Sequence, residues 1–129
     1  MSAALAAGAL VAAAVGAVGT FLTGTLIGLP STLPWALPYF AVLRHPVALY
    51  YAAGFAVLLA SGWWLSNRLT VGRLLLLWLL GVGLLFLWGG AYEEGGQTIL
   101  TLRVNQIWGG IVALVACLAL ARQGNYKTA

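Results

Sequence analysis

The sequence predicts an all-α integral membrane protein: a single membrane domain, residues 1–129, with four transmembrane helices and a short irregular or re-entrant segment between helices 1 and 2. Three observations predict it. Only 6% of residues are charged while 63% are hydrophobic, and the mean hydropathy is +1.01, a combination foreign to water-soluble domains. Four apolar runs approach or exceed the length of about 20 residues that a helix needs to cross a hydrocarbon core of about 30 Å. The period-two alternation of an outer-membrane barrel is absent. Backbone groups cannot stay unpaired in lipid, so runs of this kind are helices.

The first span is expected over 3–29. It lacks a basic flank and its apolar run is too long for a signal-peptide core, so it reads as a retained helix. Gly8, Ala12, Gly16, Thr20, Gly24 and Gly28 recur every four residues along it. Small residues at that spacing let helix backbones approach closely. The face Gly8, Ala12, Gly16, Gly24, Gly28 is therefore expected to pack against another helix, in this chain or in a partner. Pro30, Pro34 and Pro38, with Trp35 and Tyr39, then suit a short interfacial segment up to His45. The second span is expected over 46–65, with Pro46 at the helix start, where its missing N–H costs nothing. The third is expected over 72–88 and the fourth over 104–121. Trp63, Trp64, Trp88 and Tyr92 fall near span ends, as an aromatic belt requires.

Arg68 and Arg73 flank the loop between spans two and three, and Arg122 and Lys127 follow span four. With four spans these groups share a side. The other side carries Arg44 and Arg103 together with Glu93 and Glu94. The positive-inside rule then puts both termini in the cytoplasm. Six basic residues, so scattered, make no nucleic-acid surface. One cysteine excludes an intrachain disulfide. Leu114-Val-Ala-Cys117 spells a lipobox, but at a position where processing has no purpose, and Cys117 is expected in the core.

From Gly16 the chain reads Gly16-Ala-Val-Gly-Thr-Phe-Leu-Thr-Gly-Thr-Leu-Ile-Gly-Leu-Pro-Ser-Thr-Leu-Pro-Trp35, and later Arg44-His-Pro-Val-Ala-Leu-Tyr-Tyr51. This stretch resembles the signature region of the prolipoprotein diacylglyceryl transferases, bacterial enzymes that move a diacylglyceryl group from phosphatidylglycerol to a lipobox cysteine. The family pattern runs Gly-Arg-x-Gly-Asn-Phe-x-Asn-Gly-Glu-x-x-Gly-x-Pro-Thr-x-x-Pro-Trp, then His-Pro-x-x-Leu-Tyr-Glu. Gly16, Gly19, Phe21, Gly24, Gly28, Pro30, Pro34, Trp35, His45, Pro46, Leu49 and Tyr50 keep it. The family's Arg is Ala17 here, its two Asn are Thr20 and Thr23, and its two Glu are Thr25 and Tyr51.

The resemblance covers nearly the whole chain as the C-terminal half of the enzyme, specifically over 16–51 and loosely afterwards. The enzyme's N-terminal half, with a His-Gly-Gly segment, has no counterpart in this sequence. A further family motif, Tyr-Gly-x-x-Arg-Phe-x-x-Glu, would place its Arg near Leu85 or Phe86 and its Glu near Gly89 or Gly90. Neither residue is there.

Diacylglyceryl transfer calls for an activated thiol, a held phosphate and a stabilised leaving group, and arginine suits the phosphate because its fork binds bidentately. Among the spans and signature loop only Arg44 offers one. Thr20, Thr23 and Thr25 can bond to backbone carbonyls one turn back and need no substrate. Glu93 and Glu94 read as a solvated loop on the far side of span three. Gln97, Asn105 and Gln106 are polar groups near span four that are open to solvation, helix capping or function. His45 could serve as a base, a haem or pigment ligand, or a structural group at the start of span two. The resemblance implies the structural or headgroup-contact role.

The expected function is thus a non-catalytic, transferase-like accessory or structural subunit of a larger membrane complex, in a bacterial inner membrane. No catalytic residue, metal or cofactor is expected. A weak phospholipid site, for a lipid such as phosphatidylglycerol, is expected at Trp35, Arg44, His45 and Tyr50. The alternative is a phosphatidylglycerol-dependent half enzyme that needs a second chain. A transporter or channel ranks last, because intramembrane charges and paired broken helices are missing.

Overall fold

The computed structural model describes residues 2–125 and contains four long apolar helices: α1 (Ala3–Thr23), α2 (Val47–Leu65), α3 (Val71–Gly89) and α4 (Val104–Asn125). Each is long and apolar enough to cross a membrane. The architecture is the all-α membrane fold that the sequence predicts, and the ends of α2 and α3 fall within a residue of expectation. Lys127, one of the basic residues used for orientation, lies outside the described residues.

The first span is shorter than expected. Gly24 adopts the left-handed conformation (φ 63°) and its N–H bonds to the carbonyls of Thr20 and Phe21, which closes the helix. The apolar residues beyond it, Leu26 to Leu29, continue as extended chain. At the other end, the Ser2 hydroxyl caps the helix by accepting from the Leu5 N–H at 3.3 Å.

The segment between α1 and α2 is more regular than expected. Its second half is a β-hairpin, β1 (Leu37–Tyr39) and β2 (Val42–Arg44), joined by a two-residue turn. A second hairpin, β3 (Thr98–Ile99) and β4 (Leu102–Arg103), joins α3 to α4. Both turns use positive φ at two consecutive residues: Phe40 (51°) and Ala41 (64°), then Leu100 (49°) and Thr101 (72°). Such turns match the twist of paired strands but favour Asn and Gly. A side chain in that conformation costs about 1–2 kcal/mol per residue.

The fold is therefore one unit used twice: helix, connector, hairpin, then a helix that starts within three residues of the hairpin. The two units pack differently. Ala6, Leu10 and Ala17 of α1 meet Val47, Tyr51 and Phe55 of α2, with Leu74 and Trp78 of α3 completing the core. Gly62 leaves room for the Trp78 ring, which a Cβ there would strike. In the second unit the backbones themselves touch. A Cβ on Gly83 would lie 2.6 Å from Ala113 N and 2.7 Å from Gly109 O, and one on Gly109 would lie 2.6 Å from Gly83 O.

The face of α1 expected to pack against another helix is left uncovered within the described residues. Gly8, Ala12 and Gly16 are exposed, and a Cβ on Gly8 or Gly16 meets no atom within 4 Å among the described residues. Gly24 and Gly28 lie beyond the helix. The buried face of α1 is the alanine-rich one, Ala6, Leu10, Ala13 and Ala17, which is turned toward α2 and α3. Cys117, expected in the core, is exposed on α4. Trp63 and Trp64 are exposed at the end of α2, where the Arg68 guanidinium sits 4.7 Å from the Trp64 ring centroid.

Candidate functional site

The two connectors meet at one end of the bundle, and the signature residues collect there. Extended residues 27–31 run between them. On one side Ser31 N bonds to Leu43 O (2.9 Å) and His45 N to Leu29 O (3.0 Å). On the other, Leu29 N bonds to Tyr92 O and Glu94 N to Ile27 O, both at 2.7 Å. Gly28 is the tightest point. A Cβ there would collide with the His45 carbonyl, so only glycine lets the two strands come together. Pro30 bridges to Arg44 and Gly28 to Glu93.

Trp35, His45 and Tyr50, three of the four residues expected to contact lipid, form one hydrogen-bonded group. The Trp35 indole donates to the Tyr50 hydroxyl at 2.9 Å, and that hydroxyl lies 3.1 Å from His45 Nδ1. The Tyr50 hydroxyl accepts from the indole and can donate its own O–H to His45 Nδ1, which satisfies all three groups. Tyr92 lies against His45 with ring centroids 4.8 Å apart, and Trp88 stands 5.5 Å from Tyr50 and 5.1 Å from Tyr92. Beside this aromatic group opens a cleft of about 750 Å³, lined by residues that include Pro30, Leu33, Val42, His45 and Tyr92.

Arg44, the fourth, turns away from that cleft. Its guanidinium pairs with Glu94 and donates to Gly28 O at 3.2 Å. Its guanidinium thus has a carboxylate partner within the chain, where the sequence suggested a cation available to a phosphate. Of the two acidic residues expected in a solvated loop, Glu94 is exposed and Glu93 is not. Glu93 is buried, at 7% exposure. Tyr51 donates to its Oε1 at 2.5 Å and Asn105 Nδ2 to its Oε2 at 2.9 Å. Two donors make a buried carboxylate tolerable, where a bare one would cost several kcal/mol. Arg103 donates to Gly90 O at 2.8 Å, and Gln106 accepts from the Arg103 N–H at 3.0 Å. Arg103, Glu93 and Asn105 line a polar cavity of about 60 Å³.

Glu93 is the residue that sequence reasoning missed. The available signal was scarcity, because Glu93 and Glu94 are the only acidic residues of the chain and follow a membrane span directly. Tyr51 occupies the position of a Glu in the signature, and its hydroxyl now serves a carboxylate from the other connector.

Thr20 and Thr23 bond back to carbonyls of their own helix as expected, whereas the Thr25 hydroxyl lies 3.1 Å from that of Thr23 instead. The Thr20 hydroxyl donates to Ala17 O at 2.8 Å and the Thr23 hydroxyl to Gly19 O at 3.0 Å. Ala17 is buried in the helix core. Tyr39 donates to Phe21 O at 3.3 Å, and removal of water from around its ring pushes its phenol up from its ordinary pKa, so it stays a donor.

The family model described as prolipoprotein diacylglyceryl transferase matches residues 1–122. The chain belongs to this family. Curated relatives named phosphatidylglycerol–prolipoprotein diacylglyceryl transferase are similar over shorter stretches. That of Nitratidesulfovibrio vulgaris is 44% identical over 57 residues, 41% of this chain and 22% of the relative. Those of Polynucleobacter asymbioticus and Polynucleobacter necessarius are 36% and 37% identical over 76 residues, in each case 55% of this chain and 29% of the relative. The aligned stretches thus span less than a third of the curated relatives' length. No solved structure matches. Four apolar spans and bacterial relatives make this transferase-family chain a bacterial membrane protein.

Proposed function

We propose that this transferase-family chain is a non-catalytic accessory subunit of a bacterial inner-membrane assembly, and that its cleft beside His45 and Tyr50 holds a phospholipid such as phosphatidylglycerol. One observation carries the reading. The residues that shape the signature loop are retained, whereas Ala17, Thr20, Thr23, Thr25 and Tyr51 stand where the pattern has chemistry, and the hydroxyls among them are hydrogen-bonded within the chain. Arg44 is neutralised by Glu94. The lipid in the relatives' names and the apolar walls of the cleft support a lipid occupant. The outward face Gly8, Ala12, Gly16 supports a partner helix, because small residues permit close approach and nothing in the described chain covers them.

The deciding experiment is complementation of a transferase-depleted strain with this chain. No rescue is expected, and rescue would overturn the reading. Purification in mild detergent, with mass spectrometry of co-purifying chains and lipids, is expected to return at least one further membrane protein and a phospholipid.

A half enzyme completed by a second chain is the second reading, favoured by the buried Glu93 with Arg103 beside it at the bundle's end. Co-expression with candidate second chains separates the two readings. The termini are proposed to face the cytoplasm. Impermeant thiol reagents should then spare Thr70→Cys and label Gly95→Cys in intact cells, in a background without Cys117; the reverse pattern inverts the topology.

A further inference from the structure

We propose that the two hairpin tips, Phe40–Ala41 and Leu100–Thr101, are membrane-interface anchors that immerse in the lipid headgroup layer around the connector end of the bundle. The inference holds whether or not the chain is catalytic.

The first observation is the mismatch between turn and residue. Both tips hold non-glycine residues at positive φ at two consecutive positions, Phe40 and Leu100 being bulky. The chain is rich in glycine and uses it at Gly95 (φ 78°) and Gly96 (φ 86°), immediately before the second hairpin. Residues held against their backbone preference mark places where the surroundings compensate. Among the described residues nothing does. Phe40 is 77% exposed and Leu100 92%, with Val42, Leu43, Ile99 and Leu102 exposed around them.

The second observation fixes the depth of the first tip. Tyr39, next to Phe40, donates to the Phe21 carbonyl, and their rings meet edge to face with centroids 6.1 Å apart. Phe21 lies in the last turn of the span α1. The hairpin therefore folds back along the span's end, and its tip lies at the level where a membrane helix leaves the hydrocarbon. A tyrosine bonding at that level is what an interfacial belt contains. The second hairpin is shorter still. Two-residue strands reach about 7 Å at about 3.4 Å per residue, no more than the thickness of one headgroup layer, about 5–8 Å. Because β4 runs directly into α4, the Leu100 tip stays within reach of that layer.

The charges fit the same placement. Arg44 and Arg103 sit at the hairpin bases and are turned inward onto Gly28 O and Gly90 O, which leaves the tips uncharged. An exposed apolar tip with no charge is a liability in water and an anchor in lipid.

The test uses the full chain with Cys117→Ala in liposomes of phosphatidylethanolamine and phosphatidylglycerol, spin-labelled singly at Phe40→Cys or Leu100→Cys. Gln97→Cys serves as the aqueous reference and Val57→Cys, on the exposed face of α2, as the lipid reference. At both tips the ratio of oxygen to nickel-chelate collisions should exceed that at Gln97 several-fold and approach that at Val57. A ratio equal to that of Gln97 overturns the assignment. Protection from both reagents overturns it as well, because it reports a protein partner.

A second measurement avoids the label. Phe40→Asn with Ala41→Gly gives the turn its preferred residues. If the tip were only a turn, amide exchange over 37–44 in liposomes would slow. An anchored tip requires the opposite, an increase of several-fold on losing its hold, and slower exchange would overturn the proposal.

Discussion

The two helix–hairpin–helix units bring different surfaces to the same arrangement. In the first, α1 and α2 meet through side chains, and the glycines of α1 look outward. In the second, α3 and α4 meet backbone to backbone at Gly83, Gly109 and Ala113, with Ala116 fully buried behind them. Small residues at helical spacing therefore do not by themselves report a close helix pair. The glycine stripe of α1 is longer and more regular, but the close backbone crossing lies at Gly109 and Ala113 of α4. The backbone bonds between units run both ways, but the side-chain ties through the carboxylates run one way. The second connector supplies both carboxylates, and the first unit supplies Tyr51 and Arg44 to receive them.

The largest expected effect tests that contrast directly. Gly109→Leu should destabilise the fold by about 3 kcal/mol or more, because the new Cβ has backbone rather than a movable side chain in its way. Gly16→Leu on α1 should leave the monomer within about 0.5 kcal/mol of the parent, as for an exposed site, and weaken only association with a partner. Thermal melts in detergent read the first, and co-purification reads the second. Equal loss of monomer stability in both would mean that the units are not distinct.

Next comes the buried tie. Glu93→Ala should cost about 2 kcal/mol, since Tyr51 and Asn105 lose their shared acceptor inside the protein. A double-mutant cycle with Tyr51→Phe should show coupling of about 1 kcal/mol or more. The half-exposed pair Arg44–Glu94 should matter least. Glu94→Ala should change stability by less than about 1 kcal/mol, and salt should shrink the change further. If Glu94→Ala proved costlier than Glu93→Ala, the buried carboxylate would not be the main link between units.

Much of this architecture was legible in the sequence, and the places where it was not share a cause. The spans are written in the length of apolar runs, so α2, α3 and the start of α4 fell where expected. The end of α1 did not, because Leu26, Ile27 and Leu29 are as apolar as the helix before them. The stop is Gly24, a single residue that resembles the other glycines of its stripe. The aromatic group Trp35, His45, Tyr50 was readable because the signature keeps those residues. Glu93 was not, since its partners Tyr51 and Asn105 lie on two other helices, and no local pattern brings such residues together. The hairpins were hidden because their turns lack the Asn-Gly pair that usually announces them.

The extended chain from Ile27 to Ser31 also sets an order of assembly. It carries hydrogen bonds to β2 on one edge and to residues 92–94 on the other. During synthesis at about 5–20 residues per second, the first edge can pair several seconds before the second exists. In that interval Leu29 N and Gly28 face lipid headgroups and water, and the Tyr51 hydroxyl has no carboxylate to meet. The nascent first half is therefore an open clasp, which the third and fourth helices close as they enter the membrane.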